Sequence, residues 1–407
     1  MFILSSTNVG QIGFKFGVEI TETLSGRVYF FFYSPDINDS KLYFDLSPLV
    51  LLRNNESSNN IHSGTTVGTY SEPEGSGWLE YSLEFTEWWL VAGVLTKNVG
   101  VTSTDTCKVF NGYYQPSDGY KPNANSGNTG VKFSLNNTNS FLWSDREQTT
   151  HVWPLASTYT PLISNGVYIP AFPNDYGMMY LSGTNDLPSN SPDKYRISFY
   201  DGINPAPIVN EVNLQGLEIE GIPCYPANLD NNGDGFPFPS TYPQWTHYVL
   251  QLFTAGNLAR SFPYVFYNAD KFGLTDCRFD VVRLAWVGSR CGWEYQNFTK
   301  RSENTYQIER RQYRQVLPNN FNSATRQKTD RQNIANKSIT VVSDWLQEGE
   351  FDYLKGLLIS NQVQIVNADG TQTPVNIEDS SYISRRERTG RLFNLTLKIN
   401  YSQEYWS

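Results

Sequence analysis

The clearest periodic signal in the chain lies at residues 79–86, where Leu79, Tyr81, Leu83 and Phe85 alternate with Glu80, Ser82, Glu84 and Thr86. Successive side chains of a strand point to opposite faces, so this pattern predicts a half-buried strand. The same period of two closes the chain, with Phe393, Leu395, Leu397, Ile399 and Tyr401 alternating with Asn394, Thr396, Lys398 and Asn400. The run Val28-Tyr29-Phe30-Phe31-Phe32-Tyr33 is an aromatic strand that could be buried on both faces. Shorter strand signals fall at Lys132–Leu135, Ser140–Trp143, Arg196–Tyr200 and Phe279–Trp286. Gln362–Val366 and Pro374–Ile377 predict a hairpin that turns through Asp369-Gly370. Only one stretch has helical spacing. Trp345, Leu346, Tyr353, Leu354, Leu357 and Leu358 share one side, Asp344 is placed to cap, and Gln347 follows three residues later. Gly349 and Gly356 weaken that helix without excluding it.

Polar stretches separate these elements. Residues 53–77 and 112–140 are rich in Asn, Ser and Gly and predict long loops of the kind that serve surfaces or interfaces. Twelve of the 21 prolines lie between residues 161 and 243. Proline removes a ladder hydrogen bond, so this region predicts short edge strands joined by ordered loops. Soft boundaries near 160 and 275 divide the chain into a β-sandwich-like domain (1–160), a Pro/Asn/Gly-rich β domain (161–275) and an α+β domain with one short helix (276–407). The expected fold class is mainly β, with antiparallel sandwich-like domains and long ordered loops.

Composition strengthens that reading. Aromatic residues make up 15 % of the 407 residues, which favours strands, and charged residues only 17 %, their place taken by turn formers. No run approaches the roughly 18 apolar residues of a membrane span, and Met1-Phe2-Ile3-Leu4 lacks the basic start of a signal peptide. Cys107, Cys224, Cys277 and Cys291 form no C-x-x-C pair, which excludes a zinc ribbon; two disulfides are possible in principle, and free buried thiols are the blander expectation. The net charge of −9 argues against nucleic acid as the main partner. Residues 300–337 depart from this balance. They carry Arg310, Arg311, Arg314, Arg326 and Arg331 among nine basic residues, against Glu303, Glu309 and Asp330. Such a segment predicts a basic arm or long strand pair that meets acidic faces of neighbouring subunits.

Catalytic signals are sparse. His62, His151 and His247 are the only histidines, none lies in a nucleophile elbow, and no phosphate-binding glycine loop exists. The chain is therefore expected not to be an enzyme and to need no cofactor. A pair of acids brought together from distant positions would still allow glycan hydrolysis, and the aromatics would equally suit a glycan binder, with Trp88-Trp89 and the 112–127 loop as places to look. Asp230-Asn231-Asn232-Gly233-Asp234-Gly235 fits the start of a calcium loop, with Asp230, Asn232 and Asp234 as oxygen donors. The twelfth position is Thr241 where a bidentate Glu is needed, so a plain Asn/Gly turn competes with a structural calcium site.

Two regions resemble a known family. Lys15–Ile20 through Phe44-Asp45-Leu46-Ser47-Pro48-Leu49-Val50 resembles the opening β-sandwich of tail structural proteins from tailed bacteriophages of Bacteroidota hosts. The second region runs from Leu284-Ala285-Trp286 and Gly292-Trp293-Glu294-Tyr295 through Arg310-Arg311-Gln312-Tyr313. It continues with Ser343-Asp344-Trp345-Leu346, Leu357-Leu358-Ile359-Ser360, Pro374-Val375-Asn376-Ile377 and the Phe393–Tyr401 strand, and it is similar to a tail-tip or portal-proximal virion protein of those phages. The resemblance implies a virion tail subunit made in the host cytoplasm, a ring of copies of itself that contacts other tail proteins, and no catalytic residues. The alternatives are a receptor- or glycan-binding tail protein that meets the host surface and a polysaccharide depolymerase.

Overall fold

A computed structural model describes residues 2–36, 41–44, 62–63, 78–110, 167–182, 193–200, 207–214, 219–230, 244–259, 261, 263–271, 279–288, 292–317, 319–344, 353–378, 394–403 and 405–406. The first part contains β1 (Phe2–Ser5), β2 (Lys15–Glu22), β3 (Val28–Tyr33), β4 (Lys41–Phe44), β5 (Trp78–Val91) and β6 (Val94–Phe110). β1 and β4 pair with each other, and the other four form an antiparallel sheet in the order β3-β2-β5-β6. The alternation read at residues 79–86 sets one face of this sheet. Tyr81, Leu83 and Phe85 of β5 are buried with Phe16, Val18 and Ile20 of β2. Tyr29, Phe31 and Tyr33 of β3 pack on the same cluster.

The expectation that β3 is covered on both faces is corrected here. Val28, Phe30 and Phe32 are 56 %, 40 % and 41 % exposed. On this side Phe30 and Phe32 pack on each other and on Trp88, while the odd-numbered rings of β3 pack on the core.

The middle part contains β7 (Val167–Ala171), β8 (Met178–Ser182), β9 (Lys194–Tyr200), β10 (Ile208–Asn213), β11 (Ile219–Pro223), the short helix α1 (Pro226–Asp230), β12 (His247–Phe253) and β13 (Tyr264–Asn268). A five-stranded sheet runs β10-β9-β12-β13-β7, and β8 pairs with β11. β7 is an edge strand and joins β13 in parallel. Pro170 sits in that edge strand, where its missing N–H costs no ladder bond on the open side.

The last part contains β14 (Val282–Val287), β15 (Trp293–Phe298), β16 (Ser302–Arg314), β17 (Lys328–Val342), the helix α2 (Lys355–Ile359), β18 (Val363–Val366), β19 (Gln372–Ile377), β20 (Thr396–Tyr401) and β21 (Tyr405–Trp406). They form one sheet in the order β15-β14-β18-β19-β20-β17-β16, with β21 paired to β17. The β18–β19 hairpin turns where Asp369-Gly370 predicts it, and Gly370 has φ +81°, a left-handed conformation that glycine adopts at no cost. α2 carries buried Leu357 beside buried Tyr353 and Leu354. The expected opening of this helix, Trp345 onward to 352, lies outside the described residues. Asp344 forms an ion pair with Lys300 at 3.3 Å.

β14 and β15 explain how the middle and last parts hold together. Both are buried at all six positions. Leu284 and Trp286 enter a cluster with Phe298, Val341, Leu357, Leu397 and Ile399. Ala285 and Val287, pointing the other way, enter a second cluster with Tyr195, Tyr248, Leu250 and Phe266. A strand with a core on each face reads as a continuous apolar run. The second cluster draws on residues from both sides of position 275.

Candidate assembly surface

β16 and β17 are the basic strand pair expected at 300–337. They pair in register from Ser302 opposite Val341 to Arg314 opposite Lys328, with one shift between Arg311 and Gln312. Support from a third strand ends early, because β20 pairs only with Ser338–Val342 and β21 only with Ile334 and Ala335. Beyond Ile334 the ribbon is two-stranded. All residues of β16 from Glu303 to Arg314 are exposed. Its apolar side chains are exposed too: Tyr306, Ile308 and Tyr313 on β16, and Val316 (95 %) and Phe321 (61 %) in the connection. A lone two-stranded ribbon is at best marginally stable in water, and these apolar groups lie exposed along it.

Strand alternation places Tyr306, Ile308, Arg310 and Arg314 on one face of β16. Residues 300–337 hold nine Lys/Arg and three Asp/Glu, a net +6, which leaves the rest of the chain at −15. Arg311 reaches Glu309 at 3.4 Å, an exposed pair of little energetic weight. Among the described residues no ion pair engages Arg310, Arg326 or Arg331. The ribbon is therefore a cationic, partly apolar projection.

The uncovered face of the N-terminal sheet is a second unsatisfied surface. Phe32 packs edge-on to Phe30 at 5.0 Å and to Trp88 at 5.1 Å, and Phe30 meets Trp88 at 5.9 Å. These rings lie across Gly17. A Cβ there would stand 2.5 Å from Thr86 Oγ1, 2.6 Å from Trp88 Nε1 and 2.9 Å from Phe30 Cζ, so no other residue fits. The Trp88 indole donates to Thr86 Oγ1 at 2.9 Å, and the Thr86 hydroxyl donates to the Gly17 carbonyl at 3.1 Å. Beside the rings, Glu19 faces Phe30 on one side and Glu84 on the other. Like charges directly opposite on neighbouring strands repel.

A third polar cluster is buried between the middle and last parts. Arg283 of β14 donates to Asp175 at 3.2 Å, to Asn297 at 2.9 Å and to the Tyr176 carbonyl at 2.8 Å. Its guanidinium lies 4.2 Å from the Tyr225 ring centre and 4.8 Å from that of Tyr295. Asp175 also accepts from the Phe172 amide at 3.0 Å and from Asn297 at 2.6 Å. Burial pushes the Asp175 carboxyl up, against the pull of Arg283. Burial draws Arg283 the other way, but Asp175 and the flanking tyrosines outweigh it and keep the guanidinium charged. Next to it His62 is fully buried, with Nδ1 2.9 Å from the Tyr295 hydroxyl and Nε2 2.8 Å from Gln364 Oε1. Its backbone carbonyl accepts from Asn228 at 2.8 Å. Buried Cys224 is a free thiol, and burial pushes its pKa up, so it is inert. Asp175 and the Nε and Nη1 groups of Arg283 are hydrogen-bonded and closed to solvent, while Arg283 Nη2 is buried without a hydrogen-bond partner; the arrangement suits a structural tie between segments.

Of the candidate calcium ligands, Asp230 ends α1, while Asn232 and Asp234 lie outside the described residues. Among the described residues no three His, Cys, Asp or Glu side chains gather to hold a metal ion. No helix among them is long and apolar enough to cross a membrane. His151 and the 112–127 loop lie outside the described residues. His247 stacks on Tyr200 at 4.5 Å, and burial lowers its pKa. Sequence reasoning singled out Trp88 but missed the outward Phe30 and Phe32 beside it and the Arg283 cluster. A lone Arg within Val281-Val282-Arg283-Leu284-Ala285-Trp286 was the available sign of the latter. Comparison with protein families, with curated proteins and with solved structures finds no match to this chain.

Proposed function

We propose that this chain is a structural, non-catalytic subunit of a bacteriophage tail, which assembles with copies of itself in a symmetric oligomer and contacts other tail proteins in the virion. The observation that carries the reading is the β16–β17 ribbon. It lies in a +6 stretch (residues 300–337) of a −9 chain, its strand β16 is exposed from Glu303 to Arg314, and its apolar residues Tyr306, Ile308, Tyr313, Val316 and Phe321 face solvent. The resemblance of residues 284–401 to tail proteins points the same way.

The test is the mass of the purified protein by light scattering and native mass spectrometry, alongside electron microscopy of the particle. A defined oligomer, lost on Arg310→Glu/Arg311→Glu/Arg314→Glu, is the expected result. A stable monomer absent from particles would defeat the reading. The alternative is a glycan- or receptor-binding tail protein, for which the Phe30/Phe32/Trp88 platform speaks, since exposed rings stack on sugars. Binding to host-surface polysaccharide that disappears in Trp88→Ala would favour it.

A further inference from the structure

We propose that the ribbon of one copy docks on the aromatic outer face of the N-terminal sheet, built around Phe30, Phe32 and Trp88, of a second copy. The inference rests on the assembly reading and adds the identity of the acceptor. The two surfaces lack the same thing and supply it to each other. The ribbon face bears Tyr306 and Ile308 and then, further out, Arg310 and Arg314. The sheet face bears three clustered rings with Glu19 and Glu84 beside them.

Guanidinium groups bind both halves of that acceptor, because they stack on aromatic faces and pair with carboxylates. An arginine set between Glu19 and Glu84 would remove their mutual repulsion. Tyr306 and Ile308 would cover Val28 and Phe32, which are 56 % and 41 % exposed. The charge partition favours the same encounter, since a +6 segment approaches a −15 body. A two-stranded ribbon laid on a four-stranded sheet is ordinary sheet-on-sheet packing at about 10 Å.

The interface is heterologous, with a different patch on each copy. Such contacts propagate head to tail and close into a ring when the rotation allows. Each copy gives one ribbon and accepts one.

Two sets of substitutions test this, each made in the full chain and checked for native circular dichroism. The ribbon set is Ile308→Ser/Arg310→Glu/Arg314→Glu. The face set is Glu19→Lys/Phe32→Ser/Glu84→Lys, all at surface positions. Each alone is expected to weaken self-association by at least ~100-fold, as loss of central interface groups does. Mixed in equal amounts, they are expected to give a dimer of one chain of each kind and nothing larger, because one intact ribbon then meets one intact face. Combining Arg310→Glu/Arg314→Glu with Glu19→Lys/Glu84→Lys in one chain is expected to restore assembly. A face set that assembles like the wild type, a mixture that stays monomeric, or face variants that lose only polysaccharide binding would each overturn the proposal while leaving oligomerisation itself standing. A wild type that is monomeric would instead remove the assembly reading on which it rests.

Discussion

His62 makes the stability of this protein depend on mild acid in a calculable way. Its Nε2 faces the amide oxygen of Gln364 and carries the ring proton, while Nδ1 accepts from the Tyr295 hydroxyl. That hydroxyl in turn accepts from the Met178 amide at 3.2 Å. A second ring proton on Nδ1 would force the Tyr295 hydroxyl to turn and accept where it now donates. Burial is the main penalty on the charged ring; the Gln364 hydrogen bond opposes it and Arg283 adds to it by repulsion, so the pKa falls from 6.5 to about 4. The folded value lies below the unfolded one. Above pH 6.5 both states hold neutral His62 and nothing is lost. Between pH 6.5 and 4 the unfolded chain takes up a proton that the fold refuses, and stability drops as pH falls. One pKa unit is worth ~1.4 kcal/mol, so the loss is about 2 kcal/mol at pH 5 and about 3 kcal/mol near pH 4.

The assay is urea unfolding followed by tryptophan fluorescence, for wild type and His62→Gln, at pH 7.5 and pH 5. The variant loses its hydrogen bonds at both pH values but cannot titrate. The stability difference between the two proteins is therefore expected to shrink by about 2 kcal/mol at pH 5. A difference that stays constant would refute the reasoning. It would mean that His62 titrates alike in the folded and unfolded chain, as it would if residue 62 did not occupy this site in solution, and a difference that grows at pH 5 would mean that the fold holds the ring protonated.

Three further outcomes follow from the geometry. Arg283→Leu strands Asp175 in the core and is expected to cost ~3–5 kcal/mol in the same urea assay, whereas Arg283→Leu/Asp175→Leu recovers part of that loss; equal losses would show that the pair is not coupled. Ala92 occupies φ +52° before Gly93 at φ +83° in the two-residue turn between β5 and β6, so Ala92→Asn is expected to stabilise the protein by ~0.5–1 kcal/mol, read as a rise in Tm, and an unchanged Tm would count against a left-handed Ala92. Gly17→Ala drives a methyl into Thr86, Trp88 and Phe30 and is expected to cost ~1–3 kcal/mol and alter the near-ultraviolet circular dichroism, with a silent substitution placing the rings elsewhere.

Much of the fold is legible from local pattern. Alternation marks β5 and β20 because a half-buried strand must show polar residues to water, and Leu83, Phe85, Leu397 and Ile399 are buried as it requires. Asp369-Gly370 marks a turn because the backbone there needs a positive φ. The basic strand pair is visible as charge with few large apolar residues. The buried tie is not visible, since Arg283 meets Asp175 across 108 residues and His62 meets Gln364 across 302. A histidine in a Ser/Gly/Thr stretch carries no local sign that it enters a core.

The error over β3 concerns the same limit from the opposite side. An aromatic run records that both faces of a strand are apolar. It does not record which chain covers them. In β14 both faces are covered from within, by two clusters of the same molecule. In β3 one face is covered by Phe16, Val18 and Phe85, and the other is left with Phe30 and Phe32 exposed over Gly17. The two strands read alike in sequence because burial within a chain and burial between chains impose the same composition. The difference is physical only once the rest of the chain has been placed. The outer part of the β16–β17 ribbon poses the complementary case, with polar, cationic strands whose apolar side chains Tyr306, Ile308 and Tyr313 stay exposed, while Ile339 and Val341 at its base enter the core. A surface too apolar for water and a ribbon too thin to stand alone are each costly in a monomer, and their presence in one chain is best explained by a contact that satisfies both.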